Sequence, residues 1–180
     1  NLRKLPKIEL HLHLDCCLSF DVVKKINPKI DIEAYNKKFK APSTCSSVKE
    51  YIKCAEYAVD LMQDEKSISS VVEDLFDQLK AENIIYVEIR FAPLLHCKGE
   101  LSSKEVVQIV DDICKKCSKK YGIHYALILC TLRHFSKNQS METVQLVEEF
   151  KNSGVFALDI AADEAGFSLC LLYTSPSPRD

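Results

Sequence analysis

The sequence predicts an α/β fold: the N-terminal half, about four β/α units, of a (β/α)8 TIM-type barrel. Three observations predict it. Short apolar runs alternate with stretches of helical periodicity, which means parallel strands joined by helical crossovers. Such crossovers in turn allow either an open doubly wound sheet or a closed barrel. The strands also carry one polar and one apolar face, where a strand of an open sheet covered on both sides would read as nearly all apolar. A polar face suits a barrel lumen approaching its mouth.

The runs Lys7 to Asp15, Ile84 to Pro93, His124 to His134 and Phe156 to Glu164 read as the strands. In the first, Glu9, His11, His13 and Asp15 alternate with Ile8, Leu10, Leu12 and Leu14, so the polar set shares one face and the apolar set is expected to pack on outer helices. In the second, Tyr86, Glu88 and Arg90 oppose Ile85, Val87, Ile89 and Phe91. The long connection between these two strands passes through a loop with Pro42, Ser43 and Thr44, then two helical patterns, Val48 to Met62 and Ile68 to Lys80. Ser102 and Glu105 form a capping box opening a helix to Tyr121, along which Val106, Val110, Ile113 and Cys117 recur at helical spacing. A last helix is expected from Ser140 to Asn152, closed by Gly154.

The 180 residues are 47% apolar and 28% charged with a net charge of -2, enough for an ordinary core. No cationic block interleaved with aromatics marks a nucleic-acid surface. No run long enough to span a bilayer occurs, and the start lacks a signal-peptide pattern, so no membrane partner and a cytoplasmic location are expected. The chain opens on Asn1 rather than Met, so a few leading residues are expected to precede it. Nine cysteines lie mostly within periodic apolar segments and read as reduced, packed thiols. The pair Cys114 and Cys117 falls on a helical apolar stripe, where packing is the simpler reading; Cys16 and Cys17 read as spacers. From Cys170 the chain runs into Ser-Pro repeats, resembling a reading frame of a library adapter. Residues 170–180 are therefore set apart from the barrel segment 1–169.

His11 and His13 project from one side of a strand at a spacing that lets both reach one ion, and zinc takes imidazole nitrogen readily. Asp15 extends that face toward the rim where barrel chemistry occurs. Paired histidines also make plain hydrogen bonds at strand ends, so both roles stay open on spacing alone. His96 reads as a solvated loop histidine that could face the mouth. Arg133 and His134 end the third strand; a supporting role is expected there, and Asp159 and Asp163 are expected to orient ligands or to pair with Arg90 or Arg133.

The stretch Leu5-Pro-Lys-Ile-Glu-Leu-His-Leu-His-Leu-Asp15 resembles the opening signature of the adenosine deaminase family. Val87-Glu-Ile-Arg-Phe-Ala-Pro93, Ile128-Leu-Cys-Thr-Leu-Arg-His134 and Asp159-Ile-Ala-Ala-Asp-Glu164 resemble its second to fourth strands in order. The resemblance implies a barrel that hydrolyses adenosine to inosine and ammonia with one zinc ion per site and a purine nucleoside as its small-molecule partner. It implies that His11 and His13 are zinc ligands, with His13 also close to substrate, and that Asp15 contacts the ribose. Ala162 stands where the family has a glycine whose backbone contacts the purine, and Cys16 stands where a glycine follows the aspartate in the better-known form. Tyr51 and Ile52 resemble positions walling the nucleoside pocket. The third zinc histidine, the catalytic glutamate, a second histidine beside the water and a metal-binding aspartate come from later strands in the family. The chain is therefore expected to be inactive alone. An adenine or aminopurine deaminase and a non-catalytic zinc-binding relative are the alternatives; Asp15 favours a nucleoside, since adenine-specific relatives tend to carry glutamate there. A phosphotriesterase-like amidohydrolase shares His-x-His but not the other three strand motifs.

Overall fold

A computed structural model describes residues 4–45, 47–163 and 166–167; the side chains of residues 48–51 lie outside that description, as do residues 170–180 set apart above. Four parallel strands, β1 (Lys7–His13), β2 (Ile84–Phe91), β3 (His124–Leu132) and β4 (Val155–Ala161), form one sheet in the order β1-β2-β3-β4. Sequential order with helical connections is the arrangement of successive barrel units.

Between β1 and β2 lie four helices, α1 (Phe20–Ile26), α2 (Ile32–Lys38), α3 (Val48–Leu61) and α4 (Glu65–Ala81). The first two were not foreseen. Each is only seven residues long, too short for a clear periodic signal, yet each starts on a side-chain cap: Ser19 accepts from the Val22 N–H and Asp31 from the Ala34 N–H. Helix α4 likewise starts earlier than its apolar stripe, because Asp64 accepts from the Ser67 N–H. Helix α5 (Ser103–Tyr121) opens on the predicted Ser102/Glu105 capping box and closes on Gly122, whose φ of 68° is open to glycine without strain. Helix α6 (Lys137–Glu149) starts before the expected Ser140, at a second capping box formed by Ser136 and Gln139, and ends at Phe150 rather than at Gly154.

Gly154 instead enters β4. A Cβ there would lie 2.4 Å from Asp111 Oδ1 and 2.5 Å from the Tyr125 ring. Asp111, buried on α5, accepts from Tyr125 Oη at 2.7 Å and from the Gly154 N–H at 3.0 Å, tying α5, β3 and the start of β4 together.

The core lies between the apolar sheet face and α4 and α5, which pack side by side. Val87, Ile89, Leu127 and Leu129 from the sheet meet Val72, Phe76, Val106 and Val107, all fully buried. Each contributes roughly 1.5–3 kcal/mol by leaving water. Cys114 and Cys117 are buried here, as expected.

The apolar face of β1 departs from expectation. Leu14 is buried and Leu12 partly so, but Ile8 and Leu10 are exposed, as are Phe156 and Leu158 on β4. These residues sit on the two outermost strands of the sheet, β1 and β4. No helix among the described residues is long and apolar enough to cross a membrane.

Candidate metal centre

The polar faces of the strands converge at their C-terminal ends. Relative to Val87–Ile89 of β2, β1 holds an extra residue between Glu9 and Leu12, and past this bulge His13 pairs in register with Arg90. Bulges bend a strand and re-aim its side chains. His11 Nε2 and His13 Nε2 come within 3.3 Å of each other. β1 ends at His13, not at Asp15. The chain then turns through a single 3₁₀ turn, Leu14–Cys16, because Leu14 drops into the core beneath the sheet, so Asp15 stands on the turn rather than on the strand face.

Asp15 is nevertheless beside the pair. Its Oδ1 is 4.0 Å from His13 Nδ1, too long for a hydrogen bond. Burial raises its carboxyl above the ordinary carboxylate range. His13 is pushed the other way, to about 4, by burial first and then by the positive Arg90 and the neighbouring His11. The imidazole of His13 is therefore neutral at neutral pH, the state in which it can ligate a metal.

Arg90 fills the space between strands. Its Nη1 lies 2.8 Å from His13 Nε2 and 3.0 Å from His11 Nε2, and its Nη2 lies 2.7 Å from Asp159 Oδ2 and 2.9 Å from Cys130 Sγ. Asp159 thus takes the Arg90 partner that its strand position allowed. Arg90 was legible only as part of a polar face; nothing in the sequence alone showed that it touches both histidines.

Two nitrogens 3.3 Å apart fit a tetrahedral metal site, in which Zn–N bonds of about 2.0–2.1 Å place two ligand atoms roughly 3.3 Å from each other. A second grouping, His13 with Asp15 and Cys16, also brings three donor atoms together. It is the poorer site: it lacks the second imidazole, and its Asp15 Oδ1 and His13 Nδ1 stand 4.0 Å apart.

Beside His13 opens a cavity of about 970 Å³, whose wall does not include His11. His13, Asp15, Tyr35, Phe39, Ile52 and His134 are among the residues that wall it. Arg133 and Asp159 are not on that wall. The Tyr51 side chain lies outside the described residues. The rim after β1 is fixed from behind: Ser19 Oγ donates to Asp74 Oδ1 at 2.6 Å, and Gln78 Nε2 donates to the Cys17 carbonyl at 2.7 Å and to Asp74 Oδ2 at 2.8 Å. Cys16 and Cys17 also line the wall. Ala162, also on the wall, has φ of 92°, a left-handed conformation that costs any residue with a Cβ. His96 is neither solvated nor at the mouth. It is 1% exposed, and its ring donates from Nδ1 to the Met62 carbonyl at 3.0 Å.

A parallel β/α array with paired imidazoles and a cavity at the strand C-termini defines half of a TIM-type barrel. Solved structures agree: an adenine deaminase from Arthrobacter aurescens superposes with a TM-score of 0.76 at 18% identity, over 90% of this chain and 50% of that one. An amidohydrolase from Burkholderia ambifaria with bound Zn gives 0.76 at 15% identity, over 91% and 46%. The sequence narrows the class. A family model for adenosine deaminase matches residues 6–174, and the chain belongs to that family. It is 36% identical to an adenosine deaminase of Clostridium acetobutylicum over 91% of this chain and 51% of the relative. The same identity holds against one from Clostridium perfringens, over 91% and 52%. The chain spans about half the length of these curated relatives.

Proposed function

We propose that this chain is the N-terminal half of a zinc-dependent hydrolase that converts adenosine to inosine and ammonia. The observation that carries the reading is the convergence of His11 Nε2 and His13 Nε2 to 3.3 Å, with His13 on the cavity wall. Those two atoms would hold the metal. Bound there, zinc supplies the Lewis acidity that makes a water nucleophilic near neutral pH.

The remaining work falls to the protein. His13, kept neutral by burial and by Arg90, presents an unprotonated nitrogen to the ion. Asp15, beside it on the cavity wall, is placed to accept from a ribose hydroxyl. Aromatic and aliphatic walls from Tyr35, Phe39 and Ile52 give a purine an apolar surface, with His13, Asp15 and His134 on the same wall to orient it. Ala162 takes the family glycine's place, and its left-handed backbone is the conformation a glycine there adopts freely.

The residues that complete the chemistry in the family come from later strands, so the chain by itself would not turn substrate over. The exposed Ile8, Leu10, Phe156 and Leu158 on the outermost strands support this, since further β/α units would cover them. Adenosine loss followed by ultraviolet absorbance tests the reading. The full-length protein should convert adenosine in preference to adenine, and the double variant His11→Ala/His13→Ala should not. Undiminished turnover by that variant would overturn the assignment.

A further inference from the structure

The Arg90 guanidinium touches both histidines, and hydrogen-bond chemistry fixes the direction of those contacts. Arginine only donates, and a neutral imidazole nitrogen holds either a proton or a single lone pair. Nη1 carries two hydrogens and lies 2.8 Å from one Nε2 and 3.0 Å from the other, so each lone pair accepts one of them. The 3.3 Å approach of the two Nε2 atoms is then a meeting of two acceptors across a shared cation, not a hydrogen bond between them. The lone pairs engaged by Arg90 are those a metal ion needs.

We propose that Arg90 orients His11 and His13 toward one point through both Nε2 atoms and must give way for a metal to bind there. This rests on the reading of the two histidines as metal ligands. Donation from Nη1 leaves each ring proton on Nδ1, the tautomer that ligation through Nε2 requires. It also keeps both rings turned toward one point, where two unpaired acceptors would otherwise repel. The arginine has somewhere to retreat without entering solvent: Nη2 is already held by Asp159 Oδ2 at 2.7 Å and Cys130 Sγ at 2.9 Å, and the side chain is 6% exposed. The same contact opposes the metal, because two charge-assisted hydrogen bonds must break and a cation must move aside. Arg90 is thus a positioning residue that preorganises the site and weakens its affinity.

The test follows zinc titration of the full-length protein through the ring proton resonances of His11 and His13, a readout that does not report on the cysteine thiols. In the metal-free protein both rings should show Nδ1–H with Nε2 unprotonated, and zinc should shift the Arg90 side-chain nitrogen resonances. Arg90→Met should tighten zinc binding at these histidines by roughly tenfold, about one hydrogen bond's worth. Unchanged or weaker binding by Arg90→Met, or an Nε2–H ring in the metal-free parent, would overturn the proposal. If Arg90→Met does not fold, the parent decides: Arg90 resonances unmoved while zinc shifts both histidines would overturn it equally. Zinc that shifts neither histidine, in parent or variant, overturns the metal reading itself.

Discussion

Acidification should unfold this protein in part through one buried histidine. His96 is 1% exposed; its Nδ1 is bonded to the Met62 carbonyl, and its Nε2 has no hydrogen-bond partner among the described residues. Burial lowers its pKa from 6.5 to about 4, with the Met62 hydrogen bond opposing and Lys98 adding to the fall. Because the folded value lies below the unfolded one, the unfolded chain binds the proton more tightly between those values, and stability is lost as pH falls from about 6.5 toward 4. Between pH 7.5 and 5 this single group removes about 2 kcal/mol, one pKa unit being about 1.4 kcal/mol. Urea unfolding followed by far-ultraviolet circular dichroism at both pH values gives the total change. Repeating it on His96→Asn, which retains a donor for the Met62 carbonyl but does not titrate, isolates the histidine. The variant should lose about 2 kcal/mol less than the parent over that interval. An equal loss in both would refute the reasoning.

Other sites give equally direct tests in chemical denaturation. Ala162→Gly should stabilise by about 1 kcal/mol, since relief of the φ of 92° outweighs the entropy glycine adds to the unfolded chain; a loss of stability would show that the position is unstrained. Gly154→Ala should destabilise by about 2 kcal/mol, because its Cβ meets the Asp111 carboxylate and the Tyr125 ring, neither of which is free to move; a neutral result would contradict that rigidity. Asp74→Ala should cost about 2 kcal/mol and speed amide exchange at Ser19, whose N–H and hydroxyl both lose their acceptor. Protection unchanged at Ser19 would mean that the rim is held by something else.

Much of this architecture was legible because strand and helix signals are local. Short apolar runs placed the four strands, and the Ser102/Glu105 pair placed the start of α5. What was missed depends on contacts distant in sequence or on elements too short for periodicity. Helices α1 and α2 are set by single caps at Ser19 and Asp31. Asp15 leaves the strand because Leu14 is drawn into the core. His96 looks like a loop histidine until the Met62 carbonyl, 34 residues away in sequence, buries it. The candidate site divides the same way. Spacing alone put His11 and His13 on one face, whereas their grip by Arg90 required the register of β1 on β2, which a bulge shifts.

The central claim is that His11 and His13 hold the catalytic metal. Anomalous diffraction at the zinc edge, from crystals of the full-length protein, locates the ion without reference to activity. The account predicts one peak within bonding distance, about 2 Å, of both Nε2 atoms. A peak confined to cysteine sulfurs or to the Nδ1 side of His13, with the two Nε2 atoms still facing Arg90, would contradict it.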